Sequence, residues 1–274
     1  MKLYVSIDME GITGLADPTF VDSGGRNYRR GQELMTLEAN AVADTAFGLG
    51  CTEVLLNDSH SKMNNLLIER LHPETQLVTG DVKPYSMVQG LAPGYAGAVF
   101  LGYHAMAAKP GVLSHTMIFG VRGMYIGEHE IGELGFNAYV AGYHGVPVLL
   151  VAGDDEAAAE AEALIPGVVT AAVKRRISRS SAVSLTPEKS GRLLREKTAE
   201  ALAARDRIAP LRPPERPVLS IEFANYGQAE WAALMPGTAV EPHSPVVTFA
   251  AKDILEAYRA MLVMTELASR TSFC

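Results

Sequence analysis

The sequence is poor in several features that would place it quickly. Two cysteines, Cys51 and Cys274, are too few for a disulfide framework. No apolar run approaches the roughly 20 residues of a membrane helix. The N-terminus shows neither the basic n-region nor the apolar core of an export signal, so the expected location is cytoplasmic. Basic charge is in deficit, 24 Lys and Arg against 31 Asp and Glu, for a net charge of −7. That balance argues against nucleic acid as a partner, because phosphate binding needs a basic face. A Gly-rich phosphate loop and a G-x-S-x-G elbow are both missing, which counts against phosphate substrates and serine hydrolysis. Internal repeats and low-complexity tracts are absent too. What remains is an ordinary globular composition, 48% apolar and 20% charged.

Short apolar runs alternate with helical patterns. The runs LYVSI (3–7), EVLLN (53–57), GAVFLGY (97–103) and VPVLLVAG (146–153) are nearly continuous, as parallel strands covered on both faces are. Between the first two, residues 31–48 carry Leu34, Leu37, Ala41 and Val42 at helical spacing and stop at Gly48 and Gly50. DDEAAAEAEALIPG (154–167) reads as an acid-capped helix stopped by Pro166–Gly167. This rhythm predicts an α/β fold with a mostly parallel, doubly wound sheet. Near Arg175 the character changes: KRRISRSSAVSL is basic and Ser-rich, and shorter strand and helix patterns follow. The expected division is a metal-binding catalytic α/β domain over 1–175 and a smaller two-layer α+β domain over 176–274 that contributes to assembly. Lys174, Arg175, Arg176 and Arg179 are expected on a solvated or intersubunit surface.

The polar residues fall at telling places. The first run ends in Asp8-Met9-Glu10, the second leads into Asp58 and His60, and the third ends at His104. In a parallel sheet all these ends lie on one edge, where such folds bind ligands. If the strands stay extended, Asp8 and Glu10 face one side, and so do Asp58 and His60. Each residue alone has an ordinary structural explanation as a cap, a turn residue or a hydrogen-bonded histidine. Gathered on one edge, carboxylates and imidazoles are a metal-site composition. Glu133 opens a helix-like run and reads equally as a first-turn acid or as a ligand. His115 follows Ser114 on a loop marked by Pro110–Gly111 and returns to the same edge. Asn64, Asn65, Asn137 and Asn225 are candidate lining residues, although turn or capping roles suit them better. His72, His129, His144 and His243 receive no role.

The motifs SIDMEGITG, NDSHSKMNN, GDVKPYSMVQGL, FLGYHA, GVLSHTMIFGVR, GELGFNAYVAGYHGVPVLLVAGDD, SIEFANYGQAEWAALMPG and RTSFC span the whole chain. Together they resemble the zinc-dependent D-aminopeptidases of bacterial dipeptide-transport operons. The resemblance implies that Asp8, Glu10, His60, His104 and Glu133 are zinc ligands and that His115 acts as nucleophile. It implies removal of N-terminal D-residues such as D-Ala from short peptides. It also implies stacked pentameric rings, a decamer, with active sites facing an internal channel. Two four-coordinate Zn2+ ions per subunit ask for about eight donor slots. The five side chains supply five, one of them bridging adds a sixth, and a bridging hydroxide supplies two, with Asp8 as the expected bridge. Water attack assisted by His115 as acid or base fits the same residues as well as direct attack does. The alternatives are another metal-dependent amidase or hydrolase on these ligands, or a non-catalytic peptide-binding protein.

Overall fold

A strand buried on both faces starts the chain, and it sets the position of everything that follows. In β1 (Lys2–Ile7) only Lys2 is exposed; the next five residues are buried. The computed structural model describes residues 1–271, so Cys274 and the last three residues of RTSFC lie outside the described residues. After β1 the chain forms α1 (Tyr28–Gly48), β2 (Glu53–Asp58), β3 (Gln76–Val78), β4 (Gly97–Tyr103), β5 (Val121–Ile126) and β6 (His129–Glu130). It continues through α2 (Glu133–Tyr143), β7 (Val148–Asp154), α3 (Asp155–Leu164), β8 (Val169–Ser178), β9 (Ser181–Ser184) and α4 (Pro187–Ala204). It closes with β10 (Val218–Phe223), α5 (Tyr226–Ala232), β11 (Thr238–Val240), β12 (Val246–Ala250) and α6 (Ile254–Ala268).

Among the described residues the large sheet has the order β3-β2-β1-β4-β7-β8-β9. It is parallel except for β9, which folds back on β8 as a hairpin. From β1 the chain winds toward β3, and from β4 it winds toward β8. Right-handed crossovers therefore place α1 on one face and α2 and α3 on the other. The reversal lies between β1 and β4, the switch point at which open α/β sheets hold ligands. Register then does the positioning: Ile7 pairs with Asp58 on one side and Leu101 on the other. The segments after three neighbouring strands leave the sheet at one level. This is the expected mostly parallel doubly wound fold, with a second, antiparallel sheet of order β11-β12-β10-β5-β6.

The helices form for local reasons. Asp154 caps α3 by accepting from Ala157 N at 2.8 Å, and Asp155 and Glu156 suit the positive end of its dipole. Asp253 caps α6 at Glu256 N, while Glu256 reaches back to Lys252 N. In α1 the buried stripe is Met35, Ala39, Val42 and Ala46; Leu37, expected on it, is exposed. No helix among the described residues is long and apolar enough to cross a membrane.

Two sequence expectations need correction. The division near residue 175 runs through β8, and the two sheets exchange segments. β5 and β6 join the small sheet because the edge of β10 pairs with β5, Ile221 opposite Met124. Conversely, β9 completes the large sheet, and α4 packs on α1 and β8. The basic cluster is also not one surface. Lys174 is buried and donates to the carbonyls of Glu10, Ile12 and Leu15. Arg179 donates to Ser114 O and lies over the Phe119 ring.

Candidate metal centre

β1 ends at Ile7, so the extended backbone expected to aim Asp8 and Glu10 together does not persist. The two acids converge all the same, because the turn after β1 is stitched to the end of β4. Asp8 N donates to Leu101 O at 2.8 Å, and Gly11 N donates to Gly102 O at 2.7 Å. Side chains are excluded there. A Cβ on Gly11 would sit 2.1 Å from Tyr103 O. A Cβ on Gly102, whose φ is +73°, would sit 2.1 Å from Asp8 O.

Asp8, Glu10, His60, His104 and Glu133 are all buried and meet at this edge. His60 Nδ1 is 3.2 Å from Asp8 Oδ1 and 3.0 Å from Glu10 Oε2. His104 Nε2 is 3.3 Å from Asp8 Oδ2 and 3.5 Å from Glu133 Oε2. Asp8 is thus shared, one oxygen toward each imidazole, and each imidazole has a second acid of its own. The ligand atoms of Asp8, Glu10 and His104 lie within 4.8 Å of one another, as do those of His104, His115 and Glu133.

The far nitrogen of each imidazole is tied to a main-chain oxygen. His60 Nε2 donates to Val21 O (2.8 Å), His104 Nδ1 to Ala105 O (3.0 Å) and His115 Nδ1 to Leu113 O (3.0 Å). A neutral ring held this way turns a lone pair toward the carboxylates, an arrangement that a proton or a metal ion must bridge. Glu10 Oε2 and His104 Nε2 are buried and have no hydrogen-bond partner. Glu10 Oε2 lies 3.0 Å from His60 Nδ1, and His104 Nε2 lies 3.3 Å from Asp8 Oδ2. A metal ion at each of these places would satisfy it, so the donor set fits zinc.

The electrostatics agree. Burial disfavours charge on His60, yet the Glu10 and Asp8 carboxylates hold its imidazole well above the ordinary range. Burial likewise opposes charge on His104, and Glu133 and Asp8 override it. Burial and the adjacent Glu10 carboxylate push Asp8 up. Glu10 lies well below the carboxylate range because His60 outweighs its burial, and Glu133 is lowered by His104 against its own burial. These are the responses of a cluster of acids without a sufficient positive charge among them.

Glu133 opens α2, yet it does not serve its own helix end. Its Oε1 accepts from Met117 N at 2.6 Å, across the loop that carries His115. His115 stacks on His104 with centroids 4.2 Å apart and planes 14° apart, and its Nε2 is 3.9 Å from Glu133 Oε1. It is half-buried and lines a cavity of about 700 Å³ with Asp8, Glu10, His60, Met117 and Phe119. Asp58, expected to face the same way as His60, turns to the amides of Asn65 and Leu66 instead. Asn65 is bonded to that carboxylate, Asn137 joins Tyr103 to Tyr258, and Asn225 caps α5, all structural roles. Sequence reasoning missed Lys174 and the carbonyls of Val21, Ala105 and Leu113, since any residue supplies a carbonyl.

The sequence profile of a peptidase family, M55, described as D-aminopeptidase, matches residues 1–263. The chain belongs to this family. It is the family that the motifs resemble. The D-aminopeptidase of Bacillus subtilis (strain 168) is 68% identical over 274 residues, which is 100% of both chains. The solved structure of the Zn-dependent D-aminopeptidase DppA from Bacillus subtilis, a self-compartmentalizing protease, matches with a TM-score of 0.99. That match, at 68% identity, covers 100% of this chain and 100% of that one. The family's mixed α/β fold and peptidase class therefore extend over the whole described structure.

Proposed function

We propose that this protein is a dinuclear zinc aminopeptidase that removes N-terminal D-residues, such as D-Ala, from short peptides. The observation that carries this reading is the sharing of Asp8 between two imidazoles, each with its own second acid. Asp8, Glu10 and His60 would hold one ion, and Asp8, His104 and Glu133 the other. Zinc bound there supplies Lewis acidity toward the scissile carbonyl and lowers the pKa of water. His115 is the residue for proton transfer. Leu113 O fixes its tautomer, so Nε2 faces the cavity beside Glu133 as a base. From there it takes the proton of the attacking nucleophile and returns it to the leaving amine. Stacking on His104 holds the ring for both steps.

Self-association into a ring-type homo-oligomer, a decamer, completes the proposal. It is supported by the self-compartmentalizing relative and by exposed Tyr226, Trp231 and Leu234 within 176–274. A cytoplasmic setting suits the free, buried thiol of Cys51. The decisive assay compares D-Ala-D-Ala, L-Ala-L-Ala and a phosphate ester with the zinc-loaded protein. Turnover of the D-peptide alone is expected. Activity only on the L-peptide or the ester overturns the assignment, and peptide binding without zinc or turnover would point to a binder.

A further inference from the structure

Lys174 is the buried lysine among the described residues, and it meets the main chain of Glu10, not its carboxylate. Its placement depends on a slip in strand register. Gly153 pairs with Ala172, but Asp154 pairs with Lys174. The slip seats Lys174 where regular pairing would have put Val173, as a bulge re-aims a side chain. The ammonium then meets the carbonyls of Glu10, Ile12 and Leu15, and these use all three of its N–H groups.

The same loop is gripped from its other side. Thr13 N donates to Glu38 Oε1 at 3.2 Å, and Ser190 Oγ donates to that oxygen at 2.5 Å. Thr13 Oγ1 donates to Leu185 O, and Gly14 N to Ser184 Oγ. Residues 10–15 belong to neither sheet nor helix, so these contacts from α1, β8, β9 and α4 set their path. The first residue of that loop is Glu10, whose carboxylate meets His60 Nδ1 while its own carbonyl accepts from Lys174. A buried cation is an expensive way to fill space, and an apolar side chain of that volume would pack at less cost. What the ammonium does that a methyl group cannot is fix three carbonyls at once.

We propose that Lys174 is a positioning residue for the metal centre: by clamping the backbone of residues 10–15 it aims the Glu10 carboxylate at His60. The proposal rests on the two-metal reading of the site. It places the clamp on one half of the centre, because the clamped loop carries neither His104 nor Glu133.

The test is zinc affinity in competition with a chromogenic chelator, with the thermal midpoint of each metal-free protein measured alongside. In Lys174→Met one of the two zinc ions is expected to bind about 10- to 100-fold more weakly, the range for loss of an orienting partner. The second ion binds as in the wild type. Leu219→Ala, a core truncation in β10 of the small sheet, lowers the metal-free midpoint and leaves both affinities unchanged. A merely structural Lys174 would behave like Leu219→Ala, so wild-type zinc binding by folded Lys174→Met overturns the proposal. Should Lys174→Met fail to fold, Glu38→Ala reads the clamp from its other side, and unchanged zinc binding there overturns it equally. A wild-type protein that takes up no zinc refutes the metal reading itself, a separate result.

Discussion

Replacing Asp8 by Asn tests the sharing of that residue directly. Its Oδ1 and Oδ2 lie 3.2 and 3.3 Å from His60 and His104. An amide can offer its oxygen to only one of these rings and turns an NH2 toward the other. One site loses a donor, and the other keeps a neutral oxygen in place of an anionic one. Both should weaken. Glu10→Gln and Glu133→Gln each touch one imidazole, so each should weaken one site. An ion held at about a thousand times its dissociation constant stabilises the fold by about 4.1 kcal/mol. Two ions contribute roughly 8 kcal/mol. For a chain of 274 residues the unfolding entropy is about 0.6 kcal/mol/K, taking roughly 2.1 cal/mol/K per residue. The zinc-dependent rise in Tm is then about 14 °C for the wild type and about 7 °C for a variant that keeps one ion. Asp8→Asn should show neither rise, and elemental analysis should find both ions depleted. The metal-free variant should remain folded and at least as stable as the metal-free wild type, because burial and Glu10 already disfavour the Asp8 charge. If Asp8→Asn retains one zinc at wild-type affinity and half of the rise in Tm, Asp8 does not bridge.

His115→Ala should lower turnover by about 10²- to 10⁴-fold, the usual contribution of a positioned acid or base, with zinc content unchanged. Loss of zinc in that variant would make His115 a ligand, as its closeness to His104 and Glu133 allows. Gly102→Ala should lose zinc and a large part of its stability, since φ of +73° alone costs about 1–2 kcal/mol and the new Cβ strikes Asp8 O; wild-type zinc binding would refute the stitching of β1 to β4. In the metal-free protein His60 and His104 have raised folded pKa values, so their contribution is full below the unfolded value of about 6.5. It disappears as pH rises through the folded values. Zinc needs the neutral rings, so the Tm gain from zinc should grow with pH over this window; scanning fluorimetry across pH reads it, and a flat or falling gain refutes it.

Much of this arrangement was legible because parallel strands covered on both faces have an unmistakable pattern. The runs at β1, β2, β4 and β7 needed no context, and neither did the acid-capped helix α3. The gathering of His60 and His104 beside Asp8 follows from strand ends that share a level, Ile7 against Asp58 and Leu101. The β5–β6 hairpin escaped notice because its pairing with β10 lies far along the chain, and its own residues alternate only weakly. Lys174 was hidden by its neighbours. Within KRRISR a lysine looks solvated, and only the slip at Asp154 turns it inward.

A finer division separates what sequence can and cannot specify at this site. The identity of the proposed ligands resides in side chains, and the motifs name these five acids and imidazoles. Ligand aim resides in the backbone. Val21 O, Ala105 O and Leu113 O choose which nitrogen of each imidazole faces the carboxylates. The carbonyls of Glu10, Ile12 and Leu15 fix the loop that carries the Glu10 side chain. None of these six oxygens depends on its residue type, so no pattern of letters marks them. The last three are placed by residues remote in the chain, Lys174 directly and Glu38 through Thr13, whose own letters suggest surface charge. A buried charge bound to main-chain oxygens behind a row of ligands is therefore the sign to seek, because it shows where the fold holds its chemistry still.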